Sequence, residues 1–237
     1  MGFSLIGLGA GLGLAGWAET RMEAALFADP VVYSVQTSYQ RLVVTREGPD
    51  TRLFIDGALQ FSSVDEYRYH EALVHPALAS VPAPRRVLIL GGGDGLAVRE
   101  VLKWNPDHVT LVDLDPAMTA LFRDRPELAA LNDRSLWDPR VEVINADAFT
   151  WVRETTEHFD AAIVDFPDPN NYALGKLYTR QFYRGLGARL NPGGVLSVQA
   201  TSPMFSPNAY SCIVETFRDS GFVTRAYHAY VPAFGDW

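Results

Sequence analysis

A single cysteine, Cys212, among 237 residues excludes an intramolecular disulfide and any metal centre built on paired cysteines. Its apolar, helix-like surroundings predict a place in the core, and so sparse a use of thiol suits a reducing compartment. Positive charge is also short. Twenty Lys and Arg stand against 28 Asp and Glu, a net charge of −8, which argues against a nucleic-acid backbone as partner and is compatible with cationic ligands. Long apolar runs are missing as well. Phe3 to Trp17 carries no charge but extends for only about fifteen residues, short of the roughly twenty that cross a bilayer. No basic residue precedes it and Ala18-Glu19-Thr20 makes a poor cleavage site, so it is not a secretory signal. Two readings stay open: a buried helix, or the end of a membrane span that begins outside this chain, for which glycines 7, 9, 11, 13 and 16 would suit close helix contacts. Repeats and low-complexity tracts are absent, and 48% hydrophobic with 20% charged residues describes a folded protein.

The most informative stretch runs from Arg86 to Lys103. Val87 to Leu90 is an unbroken apolar run of the kind a parallel strand buried on both faces requires, and it stops at Gly91, Gly92 and Gly93. Leu96, Val98, Val101 and Leu102 then recur at helical spacing. A glycine turn ahead of a helix lets a ligand approach backbone, and Asp94 restricts which ligand. A carboxylate in the loop would repel a dinucleotide pyrophosphate, and the third glycine of the dinucleotide fingerprint is replaced by Leu96. An acidic loop instead suits a sulfonium nucleoside that carries an amino group.

Upstream, Val31 to Ser63 reads as antiparallel hairpins, with turns at Glu47-Gly-Pro-Asp50 and Asp56-Gly57. A helix is expected from Val64 to Pro76, closed by the proline, with Ser63 as N-cap and Glu66 at capping-box distance. From Arg85 onward strands alternate with helices: 108–113, 141–147, 159–165 and 194–199 follow the central strand. The fold class predicted is α/β, a doubly wound, mostly parallel Rossmann-like sheet of class I methyltransferase type, preceded by a small antiparallel β domain. The expected divisions are 1–30 for the apolar segment, 31–84 for the β-hairpin domain with its helix, and 85–237 for a nucleoside-binding domain. In such a sheet the ligand crevice lies beyond the carboxyl ends of the strands, so Asp94, Asp113, Asp147 and Asp165 should converge. Asp113 stands twenty-two residues after Gly91, the interval at which a second-strand acid meets ribose hydroxyls. Asp147 with Ala148 would flank an adenine.

Several stretches together resemble the spermidine synthase family of polyamine aminopropyltransferases: Tyr39-Gln40, Asp56-Gly57 with Gln60, Asp65-Glu66 with Tyr69-His70-Glu71, Gly91 to Gly95, Asp113-Leu-Asp115, Asp165-Phe-Pro-Asp-Pro169, Leu177-Tyr178 with Phe182-Tyr183, and Gln199. The likeness covers residues 31 to 237 and is closest to a membrane-fused branch, in which Phe3 to Trp17 would be the tail of the final span. It implies transfer of an aminopropyl group from decarboxylated S-adenosylmethionine, a co-substrate rather than a tightly bound cofactor, to an amine such as putrescine. By resemblance Asp165 is the catalytic base. Gln40, Tyr69, His70, Asp94, Asp168, Gln199 and Tyr227 or Tyr230 bind substrate, and Gly91, Gly93, Asp94, Asp113, Asp147 and Ala148 hold the nucleoside. The sulfonium is already a good leaving group, so the chemistry calls for no metal. Dimerisation, a cytoplasmic location on the inner face of a membrane and fusion to a membrane-spanning module are further implications.

The sequence departs from the family at two points. Leu96 replaces a glycine, which should narrow the space near the donor, and Phe166-Pro167 replaces a small polar pair and should dry the pocket wall. A further antiparallel strand would normally follow Trp237, so a fragment cut at both ends is expected. Methyl transfer on the same fold, or binding without catalysis, stays open.

Overall fold

The computed structural model describes residues 27–169 and 172–236. The apolar segment Phe3 to Trp17 lies outside them. Among the described residues no helix is long and apolar enough to cross a membrane.

Two compact units divide the chain. The smaller holds Gln40–Val64 and the residues up to Gln36, and the larger holds Thr37–Tyr39 and everything from Asp65. In the smaller unit β1 (Val31–Gln36), β2 (Arg41–Glu47), β3 (Asp50–Ile55) and β4 (Ala58–Ser62) form an antiparallel sheet in chain order. Asp56 and Gly57 both take positive φ, 49° and 81°, as the two-residue turn joining β3 to β4 demands.

The larger unit opens with α1 (Glu66–Ala79), which was expected to belong with the hairpins up to residue 84. Its apolar face, Leu73, Val74, Ala77 and Leu78, is buried. The expected closure at Pro76 is corrected, because the helix continues to Ala79 with the proline inside it. Proline has no N–H for the Ala72 carbonyl, and the Tyr227 hydroxyl donates to that carbonyl at 2.7 Å instead. The expected capping box is absent too. Asp65 occupies the N-cap without a side-chain cap bond, and its Oδ2 accepts from the Ala233 backbone N–H at 2.7 Å.

Five parallel strands follow: β5 (Arg86–Gly91), β6 (His108–Asp113), β7 (Val141–Asn145), β8 (Phe159–Asp165) and β9 (Leu190–Val198), in the order β7-β6-β5-β8-β9. Between them lie α2 (Leu96–Leu102), α3 (Pro116–Asp124), α4 (Ala148–Glu154) and α5 (Arg180–Gly187), with α6 (Pro207–Asp219) after β9. This is the anticipated class I methyltransferase-like arrangement. Chain order reverses between β5 and β8, whose last residues Gly91 and Asp165 are in register, so the crevice of an open α/β sheet opens there. The sheet rests on a core that includes Leu88, Leu90, Phe159, Phe182 and Tyr183, with Tyr183 stacked on Phe217 at 3.8 Å. Cys212, predicted buried, is exposed on α6. Tyr230–Val231 and Gly235–Asp236 make a separate antiparallel pair.

Candidate active site

The glycines after β5 leave room for carboxylates. A Cβ on Gly91 would come 2.2 Å from the Asp165 carbonyl oxygen, and one on Gly93 would meet the Asp113 carboxyl at 2.7 Å. With hydrogen in that place, the Gly93 N–H donates to Asp113 Oδ2 at 3.0 Å and the Asp115 N–H to Oδ1 at 2.9 Å. The Asp113 carboxylate, with its two oxygens, was expected to accept from ribose hydroxyls. Each already accepts one backbone bond and keeps a second lone pair. Burial lifts the Asp113 carboxyl to about 6, against the pull of those two bonds.

Asp94 is buried and aims Oδ1 at the N–H of Leu96, 2.9 Å away, while the Asn132 side-chain amide donates to the Asp94 carbonyl at 2.7 Å. The Asp94 carboxyl therefore engages the start of α2. Burial raises it to about 6; the neighbouring His70 opposes the rise and the Asp165 charge reinforces it. Leu96, expected to narrow the donor space, is wholly buried in the core. Phe166, expected to wall the pocket, is 7% exposed and packs 6.0 Å from the Phe182 ring.

Helix α1 contributes Tyr69 and His70. The Tyr69 hydroxyl donates to Asp165 Oδ1 at 2.6 Å, joining residues 96 positions apart. Burial and the Asp165 charge push that hydroxyl well above its ordinary value, so it stays a donor. Asp165 Oδ2 lies where a Cβ on Gly92 would approach to 3.0 Å. Beside it, Asp168 accepts from Gln199 Nε2 at 2.9 Å and from the Thr201 hydroxyl at 3.2 Å. Gln199 Oε1 is buried without a hydrogen-bond partner among the described residues, an acceptor in need of an N–H. Thr201 holds a positive φ of 58°, a conformation that costs a β-branched residue and here brings its hydroxyl to Asp168. The Tyr178 hydroxyl fixes the intervening loop by donating to the Pro167 carbonyl at 3.0 Å.

At the other end of the crevice Asp147 is half-buried, caps α4 by accepting from the Thr150 N–H at 3.0 Å, and forms an ion pair with Lys176. Burial would raise its carboxyl, but the bonds from Lys176 and Thr150 prevail and hold it low. Ala148 is buried as the first residue of α4. Tyr227 is engaged with Ala72 and, at 3.2 Å, with the Ser197 hydroxyl, while Tyr230 lies largely exposed on the C-terminal strand pair. Gln40 belongs to the smaller unit.

Glu66, Arg99, Lys176 and Thr201 were not singled out as site residues in the sequence. Glu66 was read as a cap, although its spacing of four from His70 puts both on one face of a helix. Glu71, His75 and Glu100 are near enough together for metal ligation. The ligand atoms of Glu100 and His75 are already engaged: Glu100 pairs with Arg99, Lys103 and His75, and Trp104 Nε1 donates to His75 Nδ1 at 2.9 Å.

Comparison with known proteins adds context to this geometry. Residues 66–237 match the sequence profile of the spermine/spermidine synthase domain. Polyamine aminopropyltransferase 2 of Ralstonia nicotianae is 53% identical over 234 residues, covering 98% of this chain and 45% of the relative. The polyamine aminopropyltransferase of Leptospira interrogans is 54% identical over 216 residues, covering 91% of this chain and 43% of the relative. The chain thus spans less than half the length of these curated relatives. A crystal structure of spermidine synthase in complex with the transition-state analogue AdoDATO superposes with a TM-score of 0.81 at 30% identity, over 87% of this chain and 71% of that one. Spermidine synthase from Thermotoga maritima gives 0.78 at 29% identity, over 87% and 70%.

Proposed function

This chain belongs to the spermine/spermidine synthase domain family, and on that premise we propose that it transfers an aminopropyl group from decarboxylated S-adenosylmethionine to a polyamine acceptor such as putrescine. The observation that carries the proposal is the gathering of Asp94, Asp165 and the Tyr69 hydroxyl about the glycine loop at the point where strand order reverses.

A protonated diamine has no lone pair to attack with, so one nitrogen must lose its proton while the other stays charged. Asp165 takes that proton as general base, and the Tyr69 hydroxyl steers the carboxylate through its bond to Oδ1. Asp168, steadied by Gln199 and Thr201, orients the amine, and the vacant Gln199 Oε1 accepts one of its N–H groups. The nitrogen forms its bond to the carbon next to sulfur as the carbon–sulfur bond breaks. Sulfur keeps the electron pair and departs within neutral methylthioadenosine. Asp94 holds the ammonium of the donor, Asp113 meets its ribose, and Asp147 with Ala148 meets the adenine once Lys176 shares or yields its partner. Gly91 and Gly93 admit the nucleoside to the loop, while His70 lines the donor side. Tyr227 supports α1 and so acts on the amine channel at one remove.

Methyl transfer fits less well, because the carboxylate of S-adenosylmethionine would face Asp94. Incubation with decarboxylated S-adenosylmethionine and a panel of amines should release methylthioadenosine. No release with any amine from a folded wild-type protein, together with undiminished donor binding, would leave a binding domain in its place. The apolar run Phe3 to Trp17 supports attachment to a membrane, which fractionation of cells expressing the full-length protein tests. Light scattering tests the homodimer implied by the family.

A further inference from the structure

The reaction scheme leaves the buried Glu66 and its partner Arg99 without a task, although Glu66 sits on the helix of Tyr69 and His70 and Arg99 on the helix that follows the loop of Asp94. Arg99 grips Glu66 at both ends of its fork, Nη1 to Oε1 at 2.9 Å and Nη2 to Oε2 at 3.1 Å, a bidentate geometry that fixes the carboxylate plane. Arg99 is itself held by Glu100 at 2.9 Å and by the Leu131 carbonyl at 2.6 Å. The same Glu66 Oε2 lies 2.7 Å from His70 Nδ1, and the Glu66 carbonyl lies 2.9 Å from it. Both of those partners can only accept, so Nδ1 carries a hydrogen. Among the described residues no hydrogen bond engages Nε2, and the charges acting on the ring are Glu66 on its own helix, Asp94 in the glycine loop and Asp165 at the end of β8. The Tyr69 ring stands edge-on to it at 4.9 Å.

We propose that Glu66, clamped by Arg99, is a positioning residue that keeps the His70 ring doubly protonated, and that the charge on His70 in turn keeps Asp94 ionised for the ammonium of the donor. The part played by the donor rests on the aminopropyl-transfer reading above. The physics is simple: a carboxyl as buried as Asp94 favours its neutral form, and a cation beside it offsets that preference. Burial works against charge on His70 as well, yet the hydrogen bond to Glu66 and the surrounding carboxylates raise it to about 9. Remove the glutamate and the ring gives up its second proton. Asp94 then loses its opposing cation and binds a proton at neutral pH.

The test uses the full chain as wild type, Glu66→Gln and Glu66→Asp, with dissociation constants measured by calorimetry across pH 5 to 9. Decarboxylated S-adenosylmethionine carries the ammonium and methylthioadenosine lacks it, so the second ligand is the control. In Glu66→Gln the acid limb of donor binding should move up by about two pH units, weakening donor binding roughly tenfold at pH 7. Methylthioadenosine binding should change by less than about twofold, and Glu66→Asp should recover most of the loss. An unmoved acid limb, or equal weakening of both ligands, overturns the proposal and leaves Glu66 a packing residue. Nitrogen-15 NMR of the wild-type protein decides the matter even if the variants fail to fold. His70 should hold protons on both ring nitrogens at pH 8, and a neutral ring there overturns the proposal. Turnover measured in parallel keeps the two readings apart, since a pH effect on binding without any amine transfer condemns the reaction and not the positioning role.

Discussion

The two ends of the crevice offer the same residue type in the same structural position and treat it in opposite ways. Asp94, in the glycine loop next to Asp165, is buried and raised to about 6. Asp147, also just past a strand, is half-buried and held low by Lys176 and Thr150. At the first end a carboxylate is withdrawn from water with His70 and the Leu96 N–H opposing its neutralisation, and a cationic guest adds to them. The second end already owns a cation and must give up or share it. The guest expected of the family is itself asymmetric in this sense, with ammonium and sulfonium charges at one end and a neutral base at the other.

Breaking the reactive end should cost most. Asp165→Asn is expected to lower kcat by about a hundred- to ten-thousand-fold, with methylthioadenosine binding nearly unchanged, as stopped assays and calorimetry would reveal. Asp94→Asn removes a charged partner worth about 1.5–3 kcal/mol and should raise the KM for the decarboxylated donor roughly ten- to a hundredfold. Tyr69→Phe, which deletes one bond to Asp165, should reduce kcat about tenfold and leave the KM for the donor close to wild type. At the base end Lys176→Ala frees Asp147 and should shift methylthioadenosine affinity by only a few-fold, as expected for a pair whose two side chains are both partly exposed. A larger effect there than at Asp94 would reverse the contrast between the two ends.

The contrast also has a signature in pH. Donor binding needs ionised Asp94, so kcat/KM should fall as pH drops through about 6, while Asp147, held below its ordinary value, stays ionised through that range. Stability behaves differently. His70 titrates at about 9 in the fold and near 6.5 in the unfolded chain, so its stabilisation is complete below about 6.5 and is lost as pH rises through 9. The denaturant midpoint should therefore decline between pH 7 and 9.5, and His70→Gln should flatten that decline.

Much of this crevice was legible before any coordinates. Strand-like runs leading into acids pointed to Asp113, Asp147 and Asp165, because the carboxyl ends of the strands border the ligand crevice of an open α/β sheet. Gly91 and Gly93 were read as room for a ligand, and the structure gives them the further task of admitting Asp165 and Asp113. The interactions that escaped notice are those set by partners far away in the chain. Pro76 was taken for a helix end because nothing local announces that Tyr227, 155 residues beyond Ala72, answers the carbonyl it leaves open. Lys176 gave no sign of a bond to Asp147, since it belongs to a short helical turn 29 residues further along. Cys212 was read as core because pattern assigns a residue to an element, while the side of the element it faces depends on the neighbours that fold against it.

Calorimetric comparison of decarboxylated and ordinary S-adenosylmethionine on the wild-type protein at pH 7.5 tests most directly whether Asp94 receives an ammonium. The decarboxylated form should bind at least tenfold more tightly, because only the other form brings a carboxylate toward Asp94. Equal affinities, or tighter binding of the carboxylated donor, would contradict aminopropyl transfer and favour methyl transfer on the same fold.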